Sequence, residues 1–138
     1  MKIVLGPNQK TPKYQTPGSA GLDLCATHDI KIEQGRSFTM DLEIACEIPN
    51  GYYGKLVVRS STGVKGLILC HGTGVIDSDY TGNIRAPLTT HNLGGYCIKK
   101  GERIVQLLIC PVEQVNIEVV DSIKDTERGS GGFGSTGL

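Results

Sequence analysis

Across its middle the chain reads His71-Gly72-Thr73-Gly74-Val75-Ile76-Asp77-Ser78-Asp79-Tyr80-Thr81-Gly82-Asn83-Ile84-Arg85-Ala86-Pro87-Leu88-Thr89-Thr90-His91. An apolar pair, Val75-Ile76, enters a short acidic turn, and the chain leaves it with Ile84, Ala86 and Leu88 at alternate positions. Period-two alternation marks a strand with one buried and one wet face. Two such segments around a tight turn predict a hairpin that presents one acid, Asp77, and one aromatic, Tyr80, to a small molecule. Gly72, Gly74 and Gly82 are read as positions where the backbone takes shapes closed to other residues or approaches a ligand closely. By itself the stretch reads as well, or better, as a solvated acidic loop. The flanking sequence decides between the two.

Working outward, the same alternation recurs. Leu22, Leu24 and Ala26 alternate with Asp23 and Cys25, and Ile30 and Ile32 lie between Asp29, Lys31 and Glu33. Phe38, Met40, Leu42 and Ile44 alternate with Ser37, Thr39, Asp41 and Glu43, which predicts one strand over 37–44. Further short strands are expected at 3–5, 55–58, 67–70 and 96–98, with an extended proline-bearing connection over 6–19. Residues 103–109 form an almost continuous apolar run, read as a strand buried on both faces or covered by a partner chain. Gln106 is the polar anomaly within it and needs a backbone, water or ligand partner. Val115, Ile117 and Val119 alternate with Gln114, Asn116 and Glu118 in a last predicted strand. Turns are expected at 34–35, 48–51, 92–95 and 99–102. Helical periodicity is almost absent, so the fold class is all-β: a sandwich, barrel or jelly roll.

Composition narrows the function classes. The 138 residues suit one domain, and Gly is 19 of them, against a usual share of roughly 7%. Formal net charge is zero, which gives no electrostatic footprint for nucleic acid or a membrane surface. No apolar run reaches the ~18 residues of a membrane span. A soluble, intracellular protein of cytoplasm or nucleus is expected. Five cysteines, an odd number without a C-x-x-C pair, read as reduced thiols, mostly small core side chains. Cys70-His71 lacks the second close pair that a zinc site needs.

Two further stretches suit an anion. Arg59-Ser60-Ser61 ends a strand with a planar fork of donors followed by two hydroxyls. The bland alternative there is an ordinary polar strand-end turn. Residues 128–138 are too glycine-rich to pack a core, yet they carry Arg128, Phe133, Ser135 and Thr136. Such a segment can wrap a phosphate and stack one ring on a base; the alternative is a mobile tail.

Taken together, five segments in order resemble the trimeric dUTPase family. They are 20–26 (Ala-Gly-Leu-Asp-Leu-Cys-Ala), 59–61 (Arg-Ser-Ser), 74–82, 101–107 (Gly-Glu-Arg-Ile-Val-Gln-Leu) and 128–137. The resemblance covers about residues 15–138. It implies a distorted jelly-roll, β-barrel-like sandwich over 1–127, with 128–138 as a closing tail exchanged between the subunits of a homotrimer. Each of three active sites would draw residues from all three chains. The implied reaction is hydrolysis of dUTP to dUMP and pyrophosphate, which limits uracil in DNA and supplies dUMP for thymidylate synthesis.

The resemblance also implies roles. Asp77 is the catalytic base that orients and deprotonates water for attack on the α-phosphorus. Tyr80 packs under the sugar where a 2'-hydroxyl would clash, and backbone around Gly74 reads the uracil edge. Arg59, Ser60 and Ser61 hold phosphate oxygens, with Ser60 near the α–β bridge. Gln106 meets phosphates or metal-bound water. Arg128, Ser135 and Thr136 engage the γ-phosphate beside Gly134, while Phe133 stacks on uracil. Asp23 supports the site. Mg2+ is the implied cofactor, held through the triphosphate and water rather than by direct protein ligands.

His71 stands where some members of the family carry a uracil-contacting asparagine. Arg85 and Pro87 interrupt a strand that is apolar in many members, and Pro87 removes a ladder hydrogen bond. The opening motif and Arg59-Ser60-Ser61 are somewhat similar to retroviral members. Three other readings stay open at this stage. They are the related dCTP deaminase group, a non-catalytic binding descendant, and an unrelated β-sandwich with calcium on Asp77 and Asp79.

Overall fold

The computed structural model describes residues 1–133 and Ser135. The expectations for Gly134 and Thr136 lie outside the described residues. The described residues form eleven strands and one helical turn: β1 Lys2–Leu5, β2 Leu22–Cys25, β3 Ile30–Ile32, β4 Ser37–Asp41, β5 Ile44–Glu47, β6 Tyr52–Val58, α1 Ser60–Gly63, β7 Leu67–Leu69, β8 Gly74–Ile76, β9 Arg85–Thr90, β10 Tyr96–Ile98 and β11 Arg103–Pro111. No helix is long and apolar enough to cross a membrane among the described residues.

All strand pairs are antiparallel, and they form four sheets. The largest has the order β2-β11-β6-β8, the next β4-β9-β7, and two pairs, β1-β5 and β3-β10, complete the molecule. The inward positions of the alternating patterns meet in one core. Leu24, Leu56, Val105 and Leu107 come from the large sheet, and Met40, Leu67, Ala86 and Leu88 from the three-stranded one, all at most 1% exposed. Burying such side chains stabilises by about 1.5–3 kcal/mol each, which is what holds the sheets face to face. The expected turns close as predicted. Gly35, Gly51, Gly95 and Gly101 all sit at positive φ, where other residues are strained.

Several expectations are corrected. The alternation over 37–44 spans two strands, not one. It breaks at Glu43, whose φ is 51°, because the Glu43 amide donates to Asp41 Oδ1 (2.8 Å) and the Glu43 carboxylate takes two bonds from Asn8. β4 then pairs with β9, and β5 with β1. Periodicity runs through the break because both strands face one core.

The segment 114–119 forms no strand. Val115, Ile117 and Val119 are 75%, 90% and 94% exposed, since an alternating segment becomes a strand only where it finds a ladder partner. The 74–91 stretch is no hairpin either. β8 pairs with β6 in one sheet and β9 with β4 and β7 in another, so residues 77–84 cross between sheets.

Pro87 lies in a central strand, but its missing N–H falls at a ladder end. The Cys70 amide donates to the Pro87 carbonyl (2.8 Å) just beyond β7, where the chain turns away. One of two bonds is lost, at the place where the ladder stops.

The cysteine reading holds for Cys25 and Cys46, which are buried. Cys70 and Cys97 are exposed and Cys110 is half-buried. Burial pushes the Cys25 and Cys46 thiols up, so they stay protonated.

Candidate active site

The acidic crossing between sheets lines a cleft of about 410 Å³ whose walls include His71, Gly74, Asp77, Tyr80, Ile84 and Arg85. Asp77 is exposed at the end of β8, one residue past the buried Ile76 that anchors it. The Tyr80 amide donates to the Asp77 carbonyl (3.1 Å), and the Tyr80 hydroxyl donates to the Asn83 carbonyl (2.8 Å). The crossing is thereby a closed unit that holds acid and ring together.

Of the three glycines singled out, only Gly72 uses positive φ. The other two provide room. A Cβ at Gly82 would stand 2.7 Å from the Tyr80 hydroxyl, and one at Gly74 would stand 3.1 Å from Leu56 Cβ and 3.3 Å from His71 Cε1. His71 therefore packs into the cleft beside Gly74, with Arg85 on the same wall. Of the three residues that depart from the family pattern, His71 and Arg85 line the cleft and Pro87 does not.

A second group forms at the other end of the large sheet. Arg59 follows β6 and continues its ladder, its amide donating to the Ile104 carbonyl (3.1 Å). Ser60 and Ser61 open α1, both exposed, so the strand-end turn is a single helical turn. Thr62 pins it from below, 3% exposed and donating to the Arg59 and Ile104 carbonyls at 2.9 Å.

Asp23 is no free strand carboxylate. Its side chain is 9% exposed and pairs with Arg59 (2.9 Å) and Arg103 (3.1 Å). Gln106 is its cross-strand partner on β11. The Gln106 side chain lies against Gly21, where a Cβ would stand 2.9 Å from Gln106 Oε1. The first and fourth segments thus meet through a missing side chain.

The tail forms a third, local group. Arg128 Nε donates to the Gly131 carbonyl (3.0 Å), and Thr126, Arg128, Gly131 and Ser135 line one concavity. Phe133 is fully exposed with φ 51°.

These groups do not converge within one chain. Leu56 pairs with Gly74 and Gly54 with Ile76, so Asp77 stands level with Tyr53, six residues from Arg59 along β6. At 3.3 Å per residue that is about 20 Å. The Arg59 side chain also turns toward β2, away from β8.

Sequence reasoning gave no role to Arg103, Gly21 or Gln9. Gln9 is a buried amide that donates to the Cys25 and Leu42 carbonyls (3.0 and 2.8 Å) and accepts from the Cys25 amide (3.3 Å). It braces β2, the strand that carries Asp23. Nothing local to Gln9 signals this, because its partners lie 16 and 33 residues away.

Comparison with known proteins places the chain in a family. The dUTPase family model matches residues 8–137. The chain is 40% identical to the deoxyuridine 5'-triphosphate nucleotidohydrolase of Anaplasma marginale, covering 99% of this chain and 95% of that protein. It is 43% identical to that of Nautilia profundicola, covering 91% and 89%. A dUTPase variant of Staphylococcus bacteriophage 80alpha, solved with dUpNHpp, superposes with a TM-score of 0.91 at 28% identity, covering 99% of this chain and 98% of that one. The sandwich is accordingly of the jelly-roll class. The chain belongs to the dUTPase family and is an enzyme of the deoxyuridine-triphosphate nucleotidohydrolase type.

Proposed function

We propose that the chain hydrolyses dUTP to dUMP and pyrophosphate in sites shared between three copies of itself. One observation carries the reading: Asp77 and Tyr80 line one cleft, while Arg59, Ser60, Ser61 and Gln106 gather at the far end of the same sheet. A triphosphate cannot span about 20 Å from base to anion site within one chain, but neighbouring copies can bring the two ends together. The exposed alternating segment 114–119 supports this, since it has strand periodicity but no ladder partner among the described residues. Exchange of 128–138 would then add Arg128, Phe133, Gly134, Ser135 and Thr136.

In that assembly Asp77, exposed at the cleft, orients and deprotonates the attacking water. Tyr80, fixed by Asn83, limits space at the sugar. Arg59, Ser60 and Ser61 hold phosphate oxygens, and the tail closes over them. Among the described residues no cluster of three or more His, Cys, Asp or Glu could hold a metal, and both Asp23 oxygens are engaged by arginines. Mg2+ carried by the triphosphate would neutralise phosphate charge there, with Gln106 toward its water shell. The downstream role, limiting uracil in DNA and supplying dUMP, follows from the reaction.

The test is pyrophosphate release from dUTP, dTTP, dCTP and UTP with magnesium. Release is expected from dUTP alone, and Asp77→Asn should lower it about a thousandfold. Full activity in the variant would remove Asp77 from the chemistry.

A further inference from the structure

Asp23 stands between two guanidinium groups and gives one oxygen to each. Oδ1 accepts from Arg59 Nε at 2.9 Å, and Oδ2 accepts from Arg103 Nη1 at 3.1 Å. Arg59 donates further through Nη1, to the Arg103 carbonyl (3.2 Å) and to Ser61 Oγ (3.4 Å). Arg103 therefore holds Arg59 twice, directly through its main chain and indirectly through Asp23. These bonds occupy the Nε and Nη1 hydrogens of Arg59 and leave those of Nη2 for an incoming anion.

The charge count explains why two arginines share one acid. Guanidinium stays charged at any working pH. Arg59 with Asp23 alone would be a neutral pair, well oriented but without net attraction for phosphate. With Arg103 added, the three side chains carry one net positive charge. The backbone is shaped for it. β11 shifts register against β2 between Arg103 and Val105, so Arg103 pairs opposite Cys25 while its guanidinium reaches Asp23. Bulges of this kind re-aim a side chain. Within the cluster the Asp23 and Arg59 side chains are sheltered, 9% and 25% exposed, while Arg103 reaches in from the surface with its side chain 44% exposed.

We infer that Arg103 is a positioning residue for the triphosphate: by sharing Asp23 with Arg59 it fixes the Arg59 fork and leaves the cluster one net positive charge for the substrate's phosphates. This rests on the reading of Arg59 as a phosphate-binding residue.

Steady-state kinetics with dUTP on the assembled protein tests it. Arg103→Gln should raise KM about tenfold and change kcat by less than about threefold. Adding Asp23→Asn to Arg103→Gln removes the neutralising carboxylate, so the double variant should bind better than Arg103→Gln alone, by about threefold. A purely structural role predicts the reverse, since the double variant loses more contacts. Arg103→Lys, a milder change that keeps the charge, should stay within about threefold of wild type. A normal KM in Arg103→Gln, or no recovery in the double variant, overturns the inference. If Arg103→Gln does not fold, a KM in Arg103→Lys as high as that of Arg59→Gln overturns it instead. Arg59→Gln separates the two levels. If its KM is unchanged, the phosphate reading of Arg59 fails; if only Arg103→Gln is silent, this inference alone fails.

Discussion

Tyr80 shows how little separates a placed side chain from a mobile one. Its ring is 44% exposed, and its hydroxyl is tied to the Asn83 carbonyl across Gly82. The loop closes on itself because position 82 has no side chain. Gly82→Ala would bring a methyl to 2.7 Å from the hydroxyl. The obstacle is the far end of a side chain, so the ring should swing while the backbone stays. We expect kcat/KM for dUTP to fall about tenfold and the preference for dUTP over UTP to narrow, with Tm moving less than about 4 °C. A large drop in Tm with unchanged preference would show that Gly82 serves the loop and not the ring. The sequence marked Gly82 but left its reason open between backbone shape and close approach, because composition cannot tell a glycine needed for φ from one needed for space; the structure shows space for Tyr80.

At the scale of elements, β11 sets Asp23 on β2 beside the end of β6 that leads to Arg59. Its core face, Val105 and Leu107, is fully buried, and its other face carries Gln106 between Asp23 and Val57. The run 103–109 was legible as a strand. That Gln106 would lie over Gly21 was not, since the two meet only through the pairing of β11 with β2. The tail is the opposite case, with chemistry legible and placement absent. Its arginine and serine share a turn held by its own hydrogen bonds, and its described residues add no strand to the sheets. Removing 128–138 should therefore leave Tm within about 4 °C of the full chain. Turnover of dUTP should fall at least about a hundredfold, as for loss of groups that contact the transition state. Unchanged turnover would remove the tail from the site.

At the scale of the molecule, the separation of Asp77 from Arg59 along β6 is the governing fact. It makes a prediction that no single-chain site could satisfy. Assayed at dUTP well below KM, Asp77→Asn and Arg59→Gln should each keep at most about a few per cent of wild-type activity, the first through a lower kcat and the second through a higher KM. Refolded together from an equal mixture, they should regain about a quarter of wild-type activity, because random assembly pairs an intact Asp77 with an intact Arg59 from a neighbour at that frequency. A mixture no more active than its components would confine each site to one chain.

The sequence by itself determined the fold class, the faces of most strands and the family. It could do so because two-faced burial writes a period of two into any strand, and because the chemistry-bearing residues lie in short contiguous segments. It did not determine which strands pair. The alternation over 37–44 ran through a break at Glu43, that over 114–119 had no ladder to join, and the stretch around Asp77 looked like one hairpin while serving two sheets. Pairing depends on partners tens of residues away, which local periodicity does not encode. The same holds for the site. Only the tertiary structure set Asp23 between Arg59 and Arg103 and put Asp77 at the opposite end of the sheet. Those relations follow from register across β2, β11, β6 and β8, a property of the assembled sheet and of no single segment.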